Sequence, residues 1–171
     1  LSTVTVEDVT FPGFAGQPIK GWLIRPRGTE GPLPAFVSYV GYGGGRGLPH
    51  DHLLWASAGY AQLVMDTRGQ GAGWSVGDTP DDAGAGPAHP GSMTRGILDP
   101  ATYYYRRGLP DAGRAGGAGR PQDSIDPPPV LVAGGRQGGG LAPAGAGGGG
   151  ERGRGGGAGA GPARTSRPAA G

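Results

Sequence analysis

Residues 130–140 read VLVAGGRQGGG. A β-branched run feeds directly into glycine, the pattern of a strand that ends in a sharp turn before a helix. When the frame of such a turn is Gly-x-Ser-x-Gly, the strained corner holds a nucleophilic hydroxyl out at the end of the sheet. Here the frame is Gly134, Gly135, Arg136, Gln137, Gly138. An arginine stands where the hydroxyl would be. A guanidinium is protonated at any useful pH and cannot attack a carbonyl.

The residues before this turn predict an alternating α/β order. Residues 2–11, STVTVEDVTF, alternate as a half-exposed strand does, and IKGWLIRP reads as a second strand after a turn at FAGQ. The two predict an antiparallel hairpin. AFVSYVGY, residues 35–42, is more continuously apolar and predicts a buried central strand. HLLWASAGY predicts a short helix stopped by Gly59, and YAQLVMD a strand ending at Asp66. Residues 67–100 read as a long polar loop with one apolar patch at Ile97 and Leu98. Residues 102–107 are compatible with helix, but Gly108, Pro110, Gly113, Gly116 and Gly117 follow. An interior proline costs a helix about 3 kcal/mol and each glycine about 1 kcal/mol relative to alanine. The second half of that helix is therefore expected to be spoiled. PPPVLVAGG supplies a last strand. The fold class expected is α/β, with the later strands parallel through helical crossovers.

Composition sets the limits. The 171 residues suit one domain, but glycine (41) and proline (18) make up about a third of them. All twelve aromatics lie at or before Tyr105, and residues 142–171 contain no large apolar side chain. Such a segment cannot bury enough surface to offset the entropy of ordering its backbone. No regular element is expected beyond Leu141. The expected division is a domain over 1–141 and a Gly/Ala/Arg/Pro-rich low-complexity tail over 142–171, disordered or misfolded. The absence of cysteine excludes disulfides and thiolate metal sites. No apolar run reaches the roughly 18 residues that span a bilayer, and the first residues alternate rather than forming a secretory leader. The net charge of +2 does not by itself imply a nucleic-acid partner.

VGYGGGRGLPHD, MDTRGQGAGW, GDTP, PGSMTRGILDPATYYYRR and VAGGRQGGGLA follow one another in that order. Together they closely resemble the acetyl xylan esterases and cephalosporin C deacetylases of carbohydrate esterase family seven, in the α/β-hydrolase superfamily. The likeness runs from about Val6 to Leu141. The family's GGSQGGG frame matches residues 134–140 at every position but the serine. The resemblance implies the N-terminal part of an α/β-hydrolase fold. It also implies a cofactor-free, metal-free serine deacetylase acting on small acetylated carbohydrates or cephalosporin-type esters. Members are typically cytoplasmic and often hexameric.

The resemblance also assigns positions. Arg136 takes the nucleophile's place. The backbone N–H groups of Tyr42 and Gln137 correspond to the oxyanion-hole donors. Arg68, Gly69 and Gln70 form the family's RGQ element, which braces the site, and Arg68 is expected in structural hydrogen bonds or an ion pair. The base is not found. His50, His52 and His89 all precede the turn, whereas this class of enzyme supplies its histidine, and its aspartate, later in the chain. His50 and His52 are expected as helix-start, surface residues. YYYRR is expected as helix core with solvated arginines rather than a nucleic-acid patch. This chain is therefore expected to be catalytically dead. The alternative is a non-catalytic binding or scaffolding fragment with a basic Gly-rich tail.

Intact family members continue after the turn as a helix of the type L-A-L-A-x-A-A-L, and here the sequence is LAPAGAGGGGERGRGGG. Alanines keep their places while glycine, proline and arginine fill the others. Single T-to-G changes turn valine codons into glycine and leucine codons into arginine, and one change turns AGC serine into arginine. One type of error in the coding sequence as read would thus explain Arg136 and the glycine excess together. Resequencing the gene tests this: an arginine codon at 136 and glycine codons throughout the tail, in clean reads, would overturn it.

Overall fold

The computed structural model describes residues 1–82, 91–118, 129–147 and the backbone of 164–168. Two strands open the chain, β1 (Val4–Pro12) and β2 (Pro18–Pro26). They pair antiparallel from Val4↔Pro26 to Pro12↔Pro18. The turn between them is a short 3-10 segment, Phe14–Gly16, closed by the Gly13 N–H donating to the Gln17 carbonyl at 2.7 Å. The chain continues through β3 (Ala35–Tyr39), α1 (Leu53–Ser57), β4 (Ala61–Met65), α2 (Tyr104–Ala118), β5 (Val130–Gly134), α3 (Gln137–Gly147) and β6 (Arg164–Pro168). The sheet order is β5-β3-β4-β2-β1-β6. β3 is parallel to both β4 and β5, while β2 meets β4 antiparallel. The expected α/β plan, a hairpin followed by parallel strands, is the one observed.

Strand alternation builds two cores. Val37, Tyr39, Leu63 and Met65 turn to the face covered by α2 and α3, where Ala112, Ala115 and Leu141 meet them. Val4 and Ile24 pack on the other face with Ala56 of α1. Phe36 also faces α1, stacking on Trp55 at 4.1 Å between ring centroids. β5 ends the sheet order and carries Leu131 half-exposed.

Two expectations need correction. α2 is not spoiled: it runs 15 residues through Gly108 and Pro110. Tertiary contacts override local propensity. Tyr104, Arg107, Asp111, Ala112 and Ala115 are all buried on it, and the Tyr39 hydroxyl donates to the Ala112 carbonyl at 2.8 Å. Nor does regular structure stop at Leu141. α3 continues to Gly147, across the expected domain boundary, and β6 pairs antiparallel with β1. α3 is anchored through Gly138, Leu141 and Gly145, which are buried. β6 gains its place through backbone pairing, which needs no apolar side chain. The remainder of the expected low-complexity tail, 148–163 and 169–171, lies outside the described residues, as does His89.

Some of the glycine excess has a packing reason. A Cβ at Gly116 would overlap the carbonyl oxygen of Gly145, and a Cβ at Gly145 would overlap the Tyr39 hydroxyl. Here α2 and α3 meet backbone to backbone. At Gly108 the nearest atom to such a Cβ is a ring carbon of Tyr105 at 4.0 Å, so a methyl fits. Gly116→Ala should lower stability by about 1–3 kcal/mol through overpacking. Gly108→Ala should raise it by about 0.5–1 kcal/mol by removing a mid-helix glycine. Urea unfolding midpoints check both, and equal effects of the two would contradict the close crossing.

Candidate functional site

Three loops converge at the carboxyl ends of β3, β4 and β5. The loop after β3 is glycine-rich because it folds tightly against its neighbours. Gly41 approaches the elbow closely enough that a Cβ there would lie 3.3 Å from the Gly135 carbonyl oxygen. The elbow itself is the strand-to-helix corner expected from VLVAGGRQGGG. Arg136 sits at its apex with φ +54°, in the left-handed region that costs a residue with a Cβ roughly 1 kcal/mol or more. Gly138 N–H donates to the Gly135 carbonyl at 2.9 Å and Gly139 N–H to the Arg136 carbonyl at 3.1 Å. Two of the frame's glycines are required by close approach: a Cβ at Gly134 would overlap the Gly138 backbone, and one at Gly138 would overlap the Tyr39 carbonyl.

Gln70 joins these loops. Its side-chain oxygen accepts from Gly43 N–H at 2.6 Å. Its amide nitrogen donates to the Gln137 Oε1 at 2.8 Å and to the Tyr104 hydroxyl at 3.0 Å. Gln137 Nε2 in turn donates to the Tyr105 hydroxyl at 2.9 Å, and the Tyr104 hydroxyl donates to the Arg68 carbonyl at 2.6 Å. Burial pushes the phenols of Tyr104 and Tyr105 above the usual tyrosine range. Tyr42 lies one residue before Gly43, and its carbonyl accepts from Trp74 Nε1 at 2.9 Å. The structure thus brings Tyr42, Gln70, Arg136 and Gln137 into one neighbourhood.

Arg68 lies behind them. It forms a bidentate pair with Asp111 of α2, Nε to Oδ2 at 2.5 Å and Nη2 to Oδ1 at 2.8 Å. Both side chains are fully buried. The structural ion pair expected of Arg68 is the one found. Gly69 has φ +62° and its N–H donates to the Thr79 carbonyl at 2.8 Å, turning the RGQ loop back toward the strands. Asp66, at the end of β4, accepts from Arg46 N–H at 2.9 Å and Asp78 N–H at 2.6 Å. Burial raises its pKa, opposed by those two N–H bonds.

The expectation of solvated arginines in YYYRR is half right. Arg106 is exposed. Arg107 is buried and forms a two-point ion pair with Asp81, at 2.7 and 3.1 Å. Local sequence could not reveal this, because Asp81 lies 26 residues upstream in a loop. His50 is a surface residue, as expected. His52 is only partly exposed: its Nε2 bonds the Arg46 carbonyl at 2.8 Å. Among the described residues, no group of three or more His, Cys, Asp or Glu could hold a metal ion. Nor is any helix long and apolar enough to cross a membrane. Beside the elbow opens a cavity of about 540 Å³. Tyr39, Val40, Val64, His52, Trp74 and Arg136 contribute to its wall. The sequence reading had missed Trp74, whose only local sign was a large aromatic in a polar loop.

This strand–elbow–helix geometry matches known proteins. The family model for acetyl xylan esterase (AXE1) covers residues 1–149. The chain belongs to the acetyl xylan esterase family. Acetyl xylan esterase from Paenibacillus sp. R4 is 40% identical, with TM-score 0.67, over 86% of this chain and 46% of its own. Acetyl xylan esterase 1 from Thermoanaerobacterium sp. JW/SL YS485 is 32% identical, with TM-score 0.67, over 84% and 44% respectively. The chain spans under half the length of either, and the fold is the N-terminal part of an α/β-hydrolase-like fold.

The acetyl xylan esterase scaffold here is charge-clamped, and this gives a pH signature. Burial disfavours the Asp81 carboxylate, but Arg107, Arg68 and Arg95 outweigh it and hold its pKa below the usual range. A depressed carboxylate stabilises the fold above its unfolded value of about 4, and that stability is lost as pH falls through the folded value. Asp66 works the other way, its raised pKa favouring the fold as pH falls. Asp81→Asn should lower stability at pH 7 by about 3 kcal/mol and flatten the acid decline below pH 4. Denaturant titrations followed by tryptophan fluorescence between pH 7 and pH 3 measure both. An unchanged acid slope would remove Asp81 from the account.

Proposed function

We propose that this chain carries the oxyanion-binding half of an acetyl xylan esterase site without a working nucleophile. The observation that carries the reading is Arg136, held at the elbow apex with φ +54° in the place of the family's serine. Ester hydrolysis needs a nucleophile, a base within reach and donors aimed at the developing oxyanion. The donors are the Tyr42 and Gln137 backbone N–H groups. Among the described residues neither donates a backbone hydrogen bond to a protein acceptor, and Gln70 ties their two loops together. Backbone donors do not depend on the residue at 136, so this half survives the arginine.

The acyl-transfer half does not. Arg136 cannot act as a nucleophile, and within these 171 residues no histidine follows it and Glu151 is the one acidic residue after it. In an intact family site, serine would attack the acetyl carbonyl, the oxyanion would rest on the two N–H groups, and water would release acetate. The substrates that fit the reading are acetyl esters of short xylooligosaccharides and cephalosporin-type acetates. The 171 residues alone should hydrolyse p-nitrophenyl acetate no faster than an unrelated control protein. Arg136→Ser alone should not restore turnover. Turnover by the unmodified chain well above the control would overturn the reading.

A further inference from the structure

The cavity beside the elbow has a chemistry that ester hydrolysis does not use. Arg136 contributes to its wall. Its side chain is exposed and makes no hydrogen bond or ion pair among the described residues. Among the described residues no acidic side chain contributes to the wall. The left-handed corner that would present a serine hydroxyl presents a cation instead.

Trp74 is the second observation. It is 65% exposed, which is unusual for so large an apolar surface. Yet its ring is fixed, since Nε1 donates to the Tyr42 carbonyl at 2.9 Å. Val40 and Val64 extend the apolar wall. The Nε2 of His52, also in the wall, bonds the Arg46 carbonyl at 2.8 Å. A cavity of about 540 Å³ is in the range that holds small organic ligands, and far larger than an acetate ion requires.

We propose that the Arg136 cavity is a binding site for organic monocarboxylates, with the carboxylate on the guanidinium and an apolar body against Trp74. Guanidinium and carboxylate match in two-point geometry, and such charge-assisted pairs are the strong hydrogen bonds. A flat apolar body adds contact with the fixed indole face. The site rests on the esterase reading only for the identity of position 136. It gives that position a role in binding where the family has one in chemistry.

Phenylacetate and its neutral isostere phenylacetamide separate the charge from the apolar contact. Both are titrated into the 171-residue chain while the Trp74 indole N–H is followed by NMR, its signal assigned with Trp74→Phe. Phenylacetate should shift that signal saturably and bind at least about tenfold more tightly than the amide, equivalent to about 1.4 kcal/mol. Arg136→Gln should bring the acid down to the amide and leave the amide unchanged. Arg136→Lys should restore part of the difference. Equal affinity of acid and amide for the unmodified chain, or no saturable shift, overturns the proposal without recourse to any variant. So does undiminished acid binding by Arg136→Gln. Esterase turnover is read separately, so failure of the hydrolase reading and failure of this one are distinguishable.

Discussion

The buried pair between Arg68 and Asp111 holds the molecule together around its site. Arg68 follows β4, and Asp111 lies in the middle of α2. The same Asp111 carboxylate accepts from Phe14 N–H at 2.7 Å, in the turn between the first two strands. One carboxylate therefore joins the hairpin, the central strands and the helix that crosses over them. Arg68 also lies 3.7 Å from Asp81, which Arg107 and Arg95 hold from their own sides. Two carboxylates and three guanidinium groups thus form a continuous polar cluster, much of it out of water. Breaking one member leaves an uncompensated buried charge, so such clusters are intolerant of change. α2 owes its persistence through glycine and proline to this cluster as much as to its alanines.

Gln70 extends that rigidity into the loops. One residue, Gly69, separates it from Arg68, and its amide reaches both the β3 loop and the elbow. The RGQ element thus has a division of labour. Arg68 ties the strand end to α2, Gly69 turns the chain at φ +62°, and Gln70 spaces the loops that carry Tyr42 and Gln137. All of this is independent of the residue at 136.

How much of this could be read beforehand followed from the range of each signal. β1, β2, β3, β4 and β5 announced themselves by alternation or by short β-branched runs, since strand periodicity is local. The elbow was legible because its frame is contained in five consecutive residues, Gly134 to Gly138, and a Cβ at Gly134 would overlap the Gly138 backbone four positions on. The completeness of α2 was not legible. It depends on Arg68, Asp81 and Tyr39, residues 26 to 73 positions distant from their partners. The helical stretch after Leu141 was missed for the same reason, because Gly145 is held by Tyr39 and by α2 rather than by its own propensity. Trp74 was passed over because nothing in its neighbours shows that it is pinned beside the elbow.

The position of β5 in the sheet has a mechanical consequence. Among the described residues, β5 is hydrogen-bonded along one side only, to β3. The elbow is mounted at the tip of a cantilever, stiff within the sheet plane through β3 and more compliant across its free margin. Its precision then comes from the side of α3, through Gly138 against the Tyr39 carbonyl and Gln137 against Gln70. Those two contacts act as the stays of the beam. They set how far the guanidinium at its tip can swing.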